Sequence, residues 1–132
     1  MRYLPPMPIQ GTQFQLPSGV WAVRVDCTGT VTGEDAESWM SQLAPGCPFH
    51  GLPKLVITDL LEHVHPSTGS AFIRNRKSDW AQDWIAAVVT SPTVRVTANF
   101  VLRAVRNEKH RIFQNEGDAT RWLDQHVHEE AP

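Results

Sequence analysis

The chain has 132 residues, of which 41% are apolar and 20% charged, and it carries a formal net charge of −2. This length is that of one domain, so a site in a cleft between two large domains is excluded. Ten large aromatic Trp and Phe residues and a balanced charge exclude a disordered tail. The absence of a run of roughly 18 apolar residues argues against a membrane span, and the slightly acidic balance argues against a general nucleic-acid binder.

The start of the chain and its two cysteines bear on domain organisation and compartment. Residues 1–12 are rich in Pro and Gly and predict an irregular arm, followed by one domain over residues 13–132. The arm lacks the continuous apolar run of a signal peptide, and two cysteines do not make a disulfide framework. We therefore expect a cytoplasmic protein.

The first half of the chain predicts two strands, a helix and a third strand. Residues 13–16 fit a short edge strand, and residues 21–27 alternate as in a strand with one buried face, which Gly29 ends. Thr32 is a predicted helix cap followed by two carboxylates. The helix then has an apolar face at helical spacing: Ala36, Trp39, Met40, Leu43. Residues 54–59 predict a strand covered on both faces.

The second half alternates helices with strands. Residues 66–83 predict a weaker helix, and residues 84–90 a second strand covered on both faces. A capping Ser followed by Pro at residues 91–92 begins the next helix, and residues 115–118 begin the last one after a short strand at 109–113. The resulting order, ββαβαβαβα, predicts an α/β fold with a mixed, mostly parallel sheet of four or five strands.

Four segments of the chain resemble a known family in their order and spacing. They are Gly29-Thr-Val-Thr-Gly-Glu-Asp35, Leu55-Val-Ile-Thr-Asp-Leu60, Ser91-Pro-Thr-Val-Arg-Val-Thr-Ala-Asn-Phe100, and Ile112-Phe113 with Asp118-Ala-Thr-Arg-Trp-Leu123. The stretch from Val20 to Val127 resembles the SpoIIAA-like, or STAS-type, domains, including the bacterial set described as STAS/SEC14-like. The resemblance implies helices packed largely on one face of the sheet and a binding rather than a catalytic role.

One motif of that family falls at the start of the second predicted helix. The anti-sigma-factor antagonists carry Asp-Ser-Ser-Gly there, and a partner kinase phosphorylates the second Ser. The matching residues are Pro66, Ser67, Thr68 and Gly69, with Pro in place of the Asp. The resemblance thus implies Thr68, or Ser67 before it, as a phosphoacceptor. A hydroxyl before a helix is also a good N-cap, and the helix dipole would stabilise a phosphate there by about 0.3–1 kcal/mol, so both roles stay open.

Charge is distributed unevenly along the chain. Residues 1–73, 74–111 and 112–132 have formal net charges of −3, +5 and −4. The basic middle segment contains a candidate interaction surface on two predicted helices: Arg74, Arg76, Lys77, Arg95, Asn99, Arg103, Arg106. Arg offers a planar fork for carboxylates and phosphates, so this surface predicts an acidic protein partner, an anion or a lipid headgroup. The alternative is an ordinary solvated helix face.

Motifs for catalysis, redox chemistry and phosphate binding are absent. The chain has no Gly-x-Ser-x-Gly, no Cys-x-x-Cys and no phosphate-binding Gly-rich loop, so we expect no catalytic residue and no cofactor. Cys27 fits a small core residue. Cys47, His50, His63 and His65 include the ligand types of a zinc site, but half-exposed loop histidines are the commoner case, and we predict no metal.

Two tryptophans are candidate interface residues. Trp80 and Trp84 are four residues apart and close to Arg76 and Lys77. Trp with nearby Arg is a common combination at the centre of interfaces, so these two residues are candidates to flank a groove. The alternative is that they belong to the core.

Three functions remain open. The first is a non-enzymatic SpoIIAA-like domain that binds a protein partner in signalling of the anti-sigma-factor-antagonist kind. The second, implied by the SEC14-like side of the resemblance, is a carrier or sensor of a lipid or small apolar ligand, with an apolar pocket beneath the helices. The third is a small enzyme using Asp59, Glu62 or the histidines, which no motif supports. A homodimer fits all three, because a sheet covered on one side leaves a face to cover.

Overall fold

Five strands form a single sheet in the computed structural model, which describes residues 7–130. The strands are β1 Ile9–Gln15, β2 Trp21–Val31, β3 Lys54–Val64, β4 Ile85–Val88 and β5 His110–Phe113. They lie in the sheet in chain order, β1 antiparallel to β2 and all other neighbours parallel. The prediction of a mixed, mostly parallel sheet is confirmed.

Four α-helices cover the two faces of this sheet. They are α1 Gly33–Ser41, α2 Pro66–Arg74, α3 Pro92–Val105 and α4 Glu116–Glu130. Helices α1, α2 and α3 pack side by side on one face, whereas α4 packs on β3, β4 and β5 from the other. The element order ββαβαβαβα is the predicted one. None of the helices in residues 7–130 is both long and apolar enough to cross a bilayer.

Alternate residues of the central strands enter two separate cores, because successive side chains of a strand point to opposite faces. Ala22 of β2 and Leu55 of β3 pack with Leu123 of α4. Val23 of β2 packs instead with Trp39 of α1. Burying side chains of this kind stabilises the fold by about 1.5–3 kcal/mol each, so both faces contribute to holding the sheet.

Local hydrogen bonds begin the helices where the sequence predicts them. Thr32 Oγ1 accepts from the backbone N–H of Asp35, and the Asp35 carboxylate accepts from the Thr32 N–H at 2.9 Å, which is a complete capping box. Ser91 caps α3, with Pro92 at its first position. Asn115 Oδ1 accepts from the N–H of Asp118 at 2.8 Å at the start of α4. Such caps contribute about 1 kcal/mol each.

Three predicted strand ends are wrong. Strand β1 begins at Ile9, so residues 9–12 of the predicted irregular arm are in the sheet, while residues 1–6 lie outside the described residues. Strand β2 continues past Gly29 to Val31, and β3 continues past the predicted end at residue 59 to Val64. The reason is their mutual pairing, Val31 with Val64, with register irregularities on both sides of Gly29. Local sequence patterns do not report such pairing.

The predicted helix over residues 66–83 is also wrong in its length. Helix α2 ends at Arg74, and only a single 3₁₀ turn, Asp79–Gln82, follows before β4. The indole N–H of Trp80 donates to the backbone carbonyl of Asn75 at 2.9 Å, which ties the intervening turn to the end of α2. Trp80 is thereby placed in the core under the helices.

Candidate functional site

An apolar cavity of about 200 Å³ lies between the sheet and helices α1, α2 and α3. Val25 of β2, Val56 of β3 and Ala87 of β4 line it from the sheet, and Val101 and Leu102 of α3 line it from above. An engineered protein cavity of roughly 150 Å³ lined by similar side chains stays dry and binds benzene. The cavity therefore has room for a molecule of about one aromatic ring with a short substituent.

The cavity arises because helix α3 does not close on the sheet. An apolar stripe of α3 faces the sheet, but of that stripe only Val94 is fully buried; Val101, Leu102 and Val105 are half-buried. Ala98 lines the cavity from the same helix, where a longer side chain would occupy the space. This apolar stripe thus forms the wall of a cavity.

Most polar side chains on the cavity wall have partners. Thr58 Oγ1 donates to the carbonyl of Val88 at 2.7 Å, and Thr68 Oγ1 donates to the carbonyl of Val31 at 2.9 Å. In both residues the hydroxyl hydrogen is therefore bonded to a backbone carbonyl. The wall presents mainly hydrocarbon, which suits an apolar ligand.

His110 has a buried ring nitrogen without a hydrogen-bond partner among the described residues. It lines the cavity from β5 and stacks on Trp80, with ring centroids 5.3 Å apart. Among the side chains described, those of residues 7–127, its Nε2 is the only buried nitrogen or oxygen atom that has no hydrogen-bond partner. Leaving such an atom unpaired costs about 1–3 kcal/mol. Burial lowers the pKa of His110, and backbone hydrogen bonding at Ala81 and Asp83 opposes this only in part, so the ring is neutral at pH 7.

One wall residue of the cavity, Lys54, belongs to a buried ion pair. Lys54 lies at the start of β3 with its side chain only 2% exposed, and its Nζ donates to Asp83 Oδ2 at 2.6 Å and to the carbonyl of Phe49 at 3.0 Å. Burial lowers the pKa of Lys54, and Asp83 opposes the shift. The pair joins β3 to the loop before it and to the turn before β4.

A solved structure shares this architecture. It is the crystal structure of an uncharacterised protein of the DUF3478 family, with a SpoIIAA-like fold, from Shewanella loihica PV-4. The match has a TM-score of 0.64 and covers 93% of this chain and 99% of that chain. This chain has a SpoIIAA-like fold. The sequences are 12% identical, so the match concerns the fold and not the function, and no family model or curated protein sequence matches the chain.

In this SpoIIAA-like fold the hydroxyls of the family motif are both engaged. Thr68 is 6% exposed, and a phosphoryl group on it would have to displace the hydrogen bond to Val31. Ser67 Oγ accepts from the N–H of Gly33 at 2.9 Å and lies 2.7 Å from His65 Nδ1. Phosphorylation of Ser67 or Thr68 stays a prediction.

The predicted capping role of Ser67 and Thr68 is wrong. The N-cap of α2 is His65, whose Nδ1 accepts from the N–H of Ser67 at 3.1 Å. Pro66 occupies the first helical position, which its fixed φ and missing N–H favour. Both hydroxyls therefore lie within the first turn rather than before it.

The candidate interaction surface is divided between two sides of the SpoIIAA-like domain. Helix α2 contacts α3 at Gly69, where a Cβ would lie 3.6 Å from the Thr97 side chain. At helical spacing, Arg95, Asn99 and Arg106 lie on the flank of α3 opposite Thr97, away from α2. The basic residues of α3 therefore do not merge with Arg74, Arg76 and Lys77.

Four members of that surface have structural partners. Arg74 forms an ion pair with Glu37 of α1, and Arg95 donates to the carbonyl of Val89 at 2.9 Å. The other two donate to carbonyls within their own segments, Arg76 to Ile73 at 3.1 Å and Arg106 to Arg103 at 3.3 Å. Binding of a partner to this surface stays a prediction.

The residues named for metal and redox chemistry lie apart. No three or more His, Cys, Asp or Glu side chains in the described part of the chain are placed to hold a metal ion, Cys47, His50, His63 and His65 included. His50 Nδ1 is 2.7 Å from the carbonyl of Leu43. Cys27 packs against the core under the helices, and burial raises the pKa of its thiol to about 12, so it remains a thiol at pH 7.

Trp80 and Trp84 do not flank a common groove. Trp80 packs under α1–α3, whereas Trp84 packs against α4, where its ring centroid is 5.5 Å from Trp122 and 4.8 Å from His126. The sheet separates the two indoles, because Trp80 lies in the 3₁₀ turn Asp79–Gln82 under the helices, whereas Trp84 directly precedes β4 and packs on the opposite face.

The carrier or sensor alternative predicted an apolar pocket beneath the helices, and the cavity lies there. Sequence reasoning missed His110 as one of the residues that line it. The signal for His110 was its alternation with Ile112 in a short predicted strand, which places an imidazole on an apolar strand face. Both residues line the cavity.

Proposed function

We propose that this chain is a non-enzymatic binding domain that takes up a small apolar molecule in the cavity under α1, α2 and α3. The observation that carries the proposal is the apolar cavity of about 200 Å³. Burial of an apolar molecule in a preformed cavity of this kind is favourable, because its surface leaves water. A domain that takes up such a molecule would act as its carrier or its sensor. As a sensor, the domain would have a regulatory role.

Filling the cavity tests this function. Ala98→Leu places a longer side chain in the cavity, and Ala104→Leu makes the same change at an exposed position of the same helix. Both residue types favour helix, so neither change should disturb α3. Toluene binding is measured from saturable shifts in ¹H–¹³C methyl spectra. We expect binding by the native chain and by Ala104→Leu, and at least a tenfold weaker affinity for Ala98→Leu.

Two results would overturn the proposal: no saturable shift in the native chain, or equal toluene affinity of Ala98→Leu and Ala104→Leu. Thermal unfolding of both variants checks that the domain is folded. Native mass spectrometry of protein taken from cells adds an independent measurement, in which a bound small molecule lost in Ala98→Leu supports the proposal.

The outer face of α3 favours a second candidate function, which is binding of a protein partner. Val96 and Phe100 are 71% and 60% exposed, and Arg103 is exposed on the same helix. Exposed large apolar side chains beside Arg are typical of interaction surfaces. Helix α3 also lines the cavity with the side that faces the sheet. A ligand in the cavity and a partner on the outer face would therefore contact the same helix. With an identified partner, Phe100→Ser should weaken binding and leave toluene uptake unchanged; undiminished partner binding would exclude this face.

A further inference from the structure

The cavity under the helices reaches the open edge of the sheet. Strand β5 is the edge strand on this side, and its residues Arg111 and Ile112 are among those that line the cavity. Arg111 is exposed and Ile112 is half-buried, as is Leu102, which lines the cavity from α3. The cavity therefore opens to solvent between α3 and β5.

Arg95 of α3 lies at one end of this opening. Its Nη2 donates to the carbonyl of Val89, a residue of the cavity lining, at 2.9 Å. The N–H of Val89 donates in turn to the carbonyl of Phe113, the last residue of β5, at 2.9 Å. At helical spacing Arg95 also shares its flank of α3 with Leu102, seven residues further on. The guanidinium is therefore held where the ends of β4 and β5 meet the opening.

The guanidinium of Arg95 is accessible to a ligand. The residue is half-buried, its bond to Val89 uses one of five N–H donors, and it forms no ion pair with another described residue. We propose that the ligand of the cavity carries one carboxylate on its apolar body, as in an aromatic acid or a short fatty acid, and that this carboxylate binds Arg95 at the opening. The inference rests on the function proposed above and names its ligand class.

A single carboxylate follows from the spacing of the cations on this flank of α3. Arg95 and Arg106 are eleven residues apart, which is about 16 Å along a helix, so one small group contacts only one of them. The planar fork of Arg matches the two oxygens of a carboxylate. A phosphate carries nearly two charges at pH 7, and one of them would stay without a partner beside Arg95, which is unfavourable where water is partly excluded.

The volume and wall of the cavity define the rest of the ligand. About 200 Å³ accommodates roughly one ring or a short chain, and the lining is mainly hydrocarbon. Ala98, three residues from Arg95 on the same helix, belongs to this lining. An apolar body can therefore lie against Ala98 while the carboxylate stays at the opening, so no charge has to enter the cavity.

Two probes of nearly equal shape test the proposal: 3-phenylpropionate, which carries the carboxylate, and 3-phenylpropanamide, which carries a neutral amide in its place. The quantity measured is the ratio of the amide Kd to the carboxylate Kd, from the methyl titration. Comparing this ratio between proteins cancels the different costs of removing the two probes from water. Arg95→Gln removes the charge and keeps an N–H donor for Val89. The matched control, Arg103→Gln, removes the same charge from an exposed position of the same helix.

We expect the ratio to fall about tenfold in Arg95→Gln, as the loss of a hydrogen bond between charged groups predicts, and to change less than about twofold in Arg103→Gln. Equal ratios in the native chain and Arg95→Gln would overturn the inference. An equal fall in the two variants would overturn it as well, because general charge attraction would then account for the preference.

The possible outcomes separate this inference from the proposed function. If toluene binds the native chain and neither phenyl probe does, the cavity takes up apolar molecules and the carboxylate class is wrong. If toluene and both probes fail to bind, the proposed function fails too. Should Arg95→Gln not fold, the Nε–H signal of Arg95 in the native chain decides: it should shift with the carboxylate and not with the amide, and equal responses contradict the inference.

Discussion

The two faces of the sheet differ in how closely they are packed. On the α4 face, Leu55, Ala86 and Leu123 are at most 1% exposed. On the other face, Val101 and Leu102 of α3 are half-buried above a cavity of about 200 Å³. Close packing stabilises the fold, whereas space under a helix is available to a ligand. The comparison indicates that one face mainly supplies stability and the other is suited to binding.

The α4 face also has the denser aromatic packing. Trp122 of α4 lies with its ring centroid 5.5 Å from both Trp84 and Phe113. Lys109 Nζ lies over the Trp84 ring at 5.5 Å from its centroid. Aromatic pairs of this kind add about 0.5–1.5 kcal/mol beyond the area they bury.

Breaking the Lys54–Asp83 pair from one side is expected to have the largest effect, because it leaves a buried charge without its partner. Lys54→Met leaves the Asp83 carboxylate buried beside an apolar chain, which should lower the free energy of unfolding by about 3–5 kcal/mol. Urea denaturation measures this. The double variant Lys54→Met/Asp83→Asn is the control and should recover a large part of the loss. A loss below about 1 kcal/mol for Lys54→Met would show that Asp83 does not depend on Lys54 for its charge to stay buried.

Matched leucines on the two faces test the packing difference directly. Leu123 of α4 is fully buried, and Leu102 of α3 is half-buried at the cavity. We expect Leu123→Ala to cost about 2–5 kcal/mol, because it opens a new void in a closed core. Leu102→Ala enlarges an existing space and should cost roughly 1 kcal/mol. Equal losses in urea denaturation would mean that both faces are packed alike.

A smaller effect is expected from the pH dependence of His110. Its pKa in the fold is below the ordinary 6.5, so as pH falls below 6.5 the unfolded chain takes up a proton that the folded chain does not. Folding stability therefore falls by up to about 1.4 kcal/mol per pH unit until the folded pKa is reached. Asp83 opposes this shift and Lys109 strengthens it.

The control for that effect is His110→Phe, compared with the native chain in urea denaturation at pH 7 and pH 5. The other histidines titrate in both proteins, so the difference isolates His110. We expect the variant to lose less stability on acidification. The same loss in both proteins would show that His110 is protonated equally in the folded and unfolded chains.

The local chemistry of the sequence predicted the elements well and their extent less well. The caps at Thr32 and Ser91 are confirmed, because a cap depends on residues within one turn. The extensions of β2 to Val31 and β3 to Val64 depend on pairing between distant segments, which no local pattern reports. The fold class could be predicted from the sequence, because the alternation of helices and strands limits the possible topologies of the sheet.

The candidate site was harder to predict than the fold. The apolar stripe of α3 looks the same in sequence whether it closes on the sheet or stands above a cavity, because the difference lies in how far the helix sits from the strands. The helix cap near Ser67 was also hard to predict. Helix α2 begins at Pro66 with His65 as its N-cap, so Ser67 lies within the first turn. His110 becomes notable only when its burial and its missing partner are known.

A crystal structure under xenon pressure would test the central claim most directly, because xenon enters empty apolar cavities without needing a specific contact. The claim predicts a xenon atom between Ala87 of β4 and Val101 of α3, and none within the core formed with α4. Absence of xenon at that position, or xenon within the α4 core instead, would contradict the assignment of the ligand space to the helix-covered face.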